Sequence, residues 1–157
     1  MVPVRVSALT EPATDQLADV AAVFDQYRRH YGQPVVAGQT LAWLAEQTSH
    51  RRLAIFIAHA GEDLAGLATA MVVPASLRLG SSWQLRDLYV VPSARRRGVA
   101  RALVGAVRQA ATAAGAIRLS VQTEPGNTAA LQLYRTSGFV PVEDIRTLAL
   151  PLQRDGI

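Results

Sequence analysis

Between Pro92 and Arg101 the chain reads Pro-Ser-Ala-Arg-Arg-Arg-Gly-Val-Ala-Arg. It follows an apolar run, Leu88, Tyr89, Val90 and Val91, and precedes a helical pattern in which Leu103, Val104, Val107, Ala110, Ala111 and Ala114 share one side. A strand, a tight turn with a glycine and a helix start form an anion trap. The first N–H groups of a helix have no partner within it, and the helix dipole points its positive end the same way. Gly98 lets the backbone approach a phosphate with no Cβ in the way. Neither Gly-x-x-x-x-Gly-Lys-Ser/Thr nor Gly-x-Gly-x-x-Gly is present, so this is neither a Walker loop nor a dinucleotide fingerprint.

Asp87 is the other local anomaly. In a regular strand it shares a face with Leu85 and Tyr89, and carboxylates are seldom buried unpaired. Two readings stand side by side: a group that meets a substrate ammonium or relays its proton, and a salt bridge to a nearby arginine. Tyr27, Tyr31, Trp43 and Trp83 are further aromatic candidates for a substrate pocket. His30, His50 and His59 are scattered without cysteine partners or His-Glu-x-x-His, so no metal site is expected. The absence of Gly-x-Ser-x-Gly argues against a serine hydrolase.

These residues need a scaffold. Val2 to Ala8 reads as a first strand. A helix capped by Thr10 or Thr14 follows, with Leu17, Val20, Ala21, Phe24 and Tyr27 on one face. Thr40 is expected to cap a shorter helix. Arg51 to Ala60 is a strand with apolar residues on both faces, hence central. Gly61-Glu62-Asp63 turns it into a return strand that runs from Leu64 to Val73 and ends at Pro74, and Ser82 to Val91 is the next strand. Ala116 to Gln122 is expected as a strand with Ile117, Leu119 and Val121 inward. Asn127 caps a last helix that Gly138 ends. Phe139 to Val142 and Ile145 to Leu152 are expected as two final strands, the first irregular because of Pro141.

Two motifs carry a family resemblance. The turn matches Arg/Gln-x-x-Gly-x-Gly/Ala through Arg95, Gly98 and Ala100, behind Asp-Leu-Tyr-Val-x-Pro. Downstream stands Asn127-x-x-Ala130-x-x-Leu133-Tyr134-x-x-x-Gly138-Phe139. Together they resemble the GNAT superfamily of N-acetyltransferases, which the element order β-α-α-β-β-β-α-β-α-β-β also matches. The resemblance implies an α/β (α+β) fold: a mixed, mostly antiparallel sheet of about seven strands flanked by about four helices. One domain is expected over residues 1–157.

The resemblance further implies an enzyme that moves an acetyl group from acetyl-CoA to a primary amine of a small molecule by direct attack in a ternary complex. Arg95, Arg96, Arg97, Gly98, Val99, Ala100 and Arg101 would hold the pyrophosphate, largely by main-chain N–H groups. Leu88, Tyr89, Val90, Asn127 and Ala130 would lie along the pantetheine arm. Tyr134 would face the sulfur as general acid, with Asp87 on the amine side. A splayed strand could offer the Val90 N–H to an oxyanion. A protein or peptide acceptor, and a non-catalytic CoA-binding protein of the same fold, are the alternatives.

Composition narrows the classes. The chain has 157 residues, half of them hydrophobic and 18% charged, enough for a full core. No apolar run reaches the ~18 residues of a membrane span. With no cysteine there is no disulfide framework and no thiol nucleophile. A cytoplasmic, membrane-free protein fits these points, and a homodimer is left open. All 16 basic residues are arginine, so no lysine can serve as a base. The net charge of +4 favours a polyanionic partner. Coenzyme A needs fewer charges than nucleic acid, and the arginine run lacks the interleaved aromatics of a nucleic-acid platform.

Overall fold

A computed structural model describes residues 2–152. Five strands form one sheet in the order β1-β2-β3-β4-β5: Val4–Leu9, Ala54–Ala60, Asp63–Ala75, Gly80–Val90 and Leu119–Val121. All neighbours are antiparallel except β4 and β5, which run parallel. Helices α1 (Thr14–His30) and α2 (Gln39–Ser49) cover one face, and α3 (Val99–Ala113) and α4 (Thr128–Thr136) cover the other.

The strand pattern explains the two layers. Ile55, Ile57, Leu67 and Tyr89 pack with Leu17, Val20 and Phe24 under α1. Phe56, Ala58, Ala68, Ala70, Trp83 and Leu85 pack with Leu103, Val104 and Val107 under α3. Successive side chains of a strand point to opposite faces, so β2 and β3 are apolar on both.

Several sequence expectations need correction. The sheet has five strands, not about seven. The chain from Phe139 to Leu152 forms no strand, and Val140, Ile145, Leu148, Leu150 and Leu152 are largely exposed. Alternating apolar residues make a strand only when a partner edge accepts their ladder, and Pro141 and Pro151 each lack a donor. Strand β5 is three residues long, and Ile117 is 45% exposed rather than inward. Helix α1 is entered through Ala13 with no side-chain cap, and α2 through Gly38 at φ 77°. Thr40 lies inside α2 and gives its hydroxyl to Asp25 instead.

Candidate active site

The centre of the site is a defect in the β3–β4 ladder. Thr69 pairs with Asp87 and Ala70 pairs with Leu85, so Arg86 is the extra residue of a bulge. A bulge breaks the period of two. Leu85 therefore faces α3, while Asp87 and Tyr89 face α1. The expectation that Asp87 shares a face with Leu85 fails for this reason.

On the α1 face the Asp87 carboxylate has two hydroxyl donors. Tyr27 Oη donates to Oδ1 at 3.0 Å, and Thr69 Oγ1 donates to Oδ2. Among the described residues Asp87 pairs with no arginine; the ion pairs there are Arg28–Asp25 and Arg52–Glu46. Thr69 is fully buried, and no sequence motif pointed to it. Its signal was only its register opposite Asp87. Burial, then the Asp87 charge, holds the Tyr27 phenol far above its ordinary value of 10.

Aromatic rings surround this pair. The Tyr27 ring lies 5.5 Å from Phe24, 5.2 Å from Tyr31 and 5.8 Å from Tyr89, and Phe24 lies 6.0 Å from Trp43. Trp83 does not join them. It is buried on the α3 face, and its indole N–H has no partner among the described residues.

Beyond Asp87, strand β4 has an open side. Its contact with β5 covers Trp83 to Leu85, so the two strands part after Leu85. Val91 N–H donates to Ala65 O, which makes Val90 and Gly66 a non-hydrogen-bonded pair. The backbone groups of Leu88 and Val90 therefore turn away from β3, into the gap. Arg95 Nε–H donates to the Val90 carbonyl at 3.1 Å, and its guanidinium sits 5.8 Å from the centre of the Tyr89 ring.

The strand then runs through a short helical turn, Pro92–Ala94, into the arginine loop. Arg96 has φ 62° and Gly98, the residue before α3, has φ 80°. Among the described residues no main-chain acceptor takes the N–H groups of Arg96 to Arg101. Gly98 is exposed, and a Cβ built there meets nothing within 4 Å. Arg101 reaches across to Thr136 Oγ1 at 3.3 Å, tying the loop to α4.

Tyr134 is positioned by the two ends of α4. Asn127 Oδ1 accepts from Ala130 N at 3.2 Å. At the other end Gly138, at φ 96°, closes a Schellman motif: Phe139 N–H bonds Tyr134 O and Gly138 N–H bonds Arg135 O. Phe139 packs edge-on against the Tyr134 ring at 5.6 Å. Tyr134 is thus buried on the α3 side of the sheet, yet burial and then the Tyr31 hydroxyl both raise its pKa. Tyr134 acts in turn on Tyr27. Tyr27 is thus the phenol that feels Asp87 together with both Tyr31 and Tyr134. A cavity of about 650 Å³ lies between β5, α4 and residues 137–147 and has Tyr134 in its wall.

The family model described as "Acetyltransferase (GNAT) family" matches residues 19–139. The chain belongs to the GNAT family of acetyltransferases. It is 30% identical over 131 residues to an uncharacterised N-acetyltransferase, YhfO, of Bacillus subtilis strain 168, covering 83% of this chain and 88% of that one. It is 31% identical to a mycothiol acetyltransferase of Cellulomonas flavigena over 84% of this chain, but only 37% of that protein. Among solved structures, a probable acetyltransferase superposes with TM-score 0.88 at 28% identity, over 96% of this chain and 99% of the other. An aminoglycoside acetyltransferase from a soil metagenome, at 18% identity and TM-score 0.80, shares the fold over 96% of this chain and 97% of its own. Like these GNAT relatives, this chain is an acetyltransferase. Among the described residues no group of three or more potential metal ligands occurs, and no helix is long and apolar enough to cross a membrane.

Proposed function

We propose that this GNAT enzyme moves an acetyl group from acetyl-CoA to a primary amine by direct attack in a ternary complex. The observation that carries the reading is the path of one strand. Strand β4 leads from Asp87, through the outward backbone of Leu88 and Val90, into an N–H cradle at Arg96 to Arg101. The cradle suits a pyrophosphate: among the described residues no main-chain acceptor takes these N–H groups, and they flank a glycine where a Cβ would meet nothing within 4 Å. Acetyl-CoA supplies an activated acyl thioester.

The chain's own residues then divide the work. The Val90 N–H is the donor for an oxyanion. Asp87 holds the substrate ammonium or accepts its proton through water, because an alkyl amine with a pKa near ~10 is protonated at pH 7. Thr69 and Tyr27 hold the carboxylate in place. Tyr134 serves the leaving thiolate. At reference values, transfer from a phenol at ~10 to a thiolate at ~8.5 is uphill by roughly 2 kcal/mol. Burial of Tyr134 steepens that climb. Tyr134 therefore works chiefly as a hydrogen-bond donor to developing negative charge.

The test is release of free CoA from acetyl-CoA with a panel of amines. Initial-velocity lines that intersect support a ternary complex; parallel lines would indicate an acyl-enzyme and overturn direct attack.

A further inference from the structure

We infer that the acceptor is a monocationic amine with an aromatic or flat apolar body, its ammonium at Asp87 and its body against the Tyr27–Tyr31–Trp43 wall. The inference rests on the acetyltransferase reading above and names the substrate class of that site.

Three observations point the same way. First, the wall has unused apolar surface. Tyr31 is 51% exposed and Trp43 is 43% exposed, although both belong to the ring chain that runs through Tyr27 and Phe24. Large exposed aromatics grouped beside a polar site mark a contact surface, and ring faces attract ammonium groups.

Second, among the described residues the carboxylate that meets the Tyr27 hydroxyl is that of Asp87, at 3.0 Å. The next acid on α1, Asp25, is already engaged by the Thr40 hydroxyl and by Arg28 at 4.0 Å. Third, among the described residues the cations near the ring wall are not matched by further acids: Arg28 is taken up by Asp25, His30 lies against Tyr31 and Tyr89, and Arg95 lies over Tyr89.

A polyamine or aminoglycoside would bring several ammonium groups to this wall. One would find Asp87; the others would lose hydration beside arginines with no acid to pair. A single ammonium on a ring avoids that cost and covers Tyr31 and Trp43. Between α1 and α2 a cavity of about 240 Å³, lined by Phe24, Arg28, Gln39, Thr40 and Trp43, leaves room for a compact body at the far end of the wall.

The experiment compares kcat/KM for phenethylamine, tryptamine, butylamine, spermidine and kanamycin by CoA release. The arylalkylamines should exceed butylamine by roughly tenfold, the scale of a good ring contact, and exceed spermidine and kanamycin as well. Tyr31→Ala should lower the phenethylamine value by about as much and the butylamine value less. Equal or better turnover of kanamycin or spermidine, or no gain from the aryl group, would overturn the inference and leave the transferase reading standing. If no amine is acetylated, the transferase reading fails. Calorimetric titration of CoA-loaded protein with phenethylamine and kanamycin then reads the pocket alone. Tighter phenethylamine binding supports it, and any other order overturns it.

Discussion

Thr69, fully buried, stands opposite Asp87 across the β3–β4 ladder and donates its hydroxyl to that half-buried carboxylate. The pair joins strand register to chemistry. Thr69→Val keeps the branched shape but removes the donor. Stability should fall by about 1–2 kcal/mol, since a partly buried carboxylate loses a charge-assisted bond. Turnover should fall with it, and Thr69→Ser should restore both. Urea melts and kcat/KM for the best amine check this; a silent Thr69→Val would mean that the hydroxyl is idle.

Gly98→Val addresses the cradle. At φ 80° a β-branched residue is strained by about 1–2 kcal/mol. Its side chain also fills space at the loop that is open in this structure. Coenzyme A affinity should drop by more than about tenfold, equivalent to losing at least one charge-assisted hydrogen bond. The melting curve should shift only modestly. Calorimetry with coenzyme A reads the effect, and unchanged affinity would remove the pyrophosphate assignment.

Tyr134→Phe keeps the edge-on contact with Phe139 and deletes only the hydroxyl. If that hydroxyl meets the leaving sulfur, kcat should fall by ~10²-fold while the KM for acetyl-CoA barely moves. A fall in acetyl-CoA affinity with kcat intact would instead make Tyr134 a binding residue.

Both Tyr27 and Tyr134 hold their protons more tightly in the folded chain than the ordinary value of 10. Below about pH 10 both folded and unfolded states keep the phenol proton, so the contribution is constant. Above it the unfolded chain releases a proton that the folded chain retains. Stability should therefore decline as pH rises from about 10 toward the folded values. Thermal melts between about pH 8 and about pH 11 should show that decline, and it should be shallower in Tyr27→Phe. An equally steep decline in the variant would contradict the burial of this phenol.

Much of the site was legible in the residues. The arginine turn announced itself through Gly98, because only glycine takes that backbone conformation without strain. Asn127, Gly138 and Phe139 specified both ends of α4 by local hydrogen bonds and one ring contact, and so aimed Tyr134. Such features depend on neighbours within a few positions, which a sequence displays. The apolar alternation of β2 likewise announced a strand buried on both faces.

Other features depended on partners far along the chain. The bulge at Arg86 arises from how β3 and β4 pair, so only the paired ladder turned Asp87 to the α1 face and Leu85 to the α3 face. The same pairing supplied Thr69, and the packing of α1 supplied Tyr27, 60 residues from Asp87. Trp83 read as a pocket residue until the fold buried it on the other face. Residues 139 to 152 carried a strand pattern that found no partner edge. Sequence by itself thus determined the local turns, caps and strand faces, because their hydrogen bonds close within a few residues. Tertiary structure decided which carboxylate, phenols and backbone N–H groups meet, because those contacts form only when distant strands choose a register.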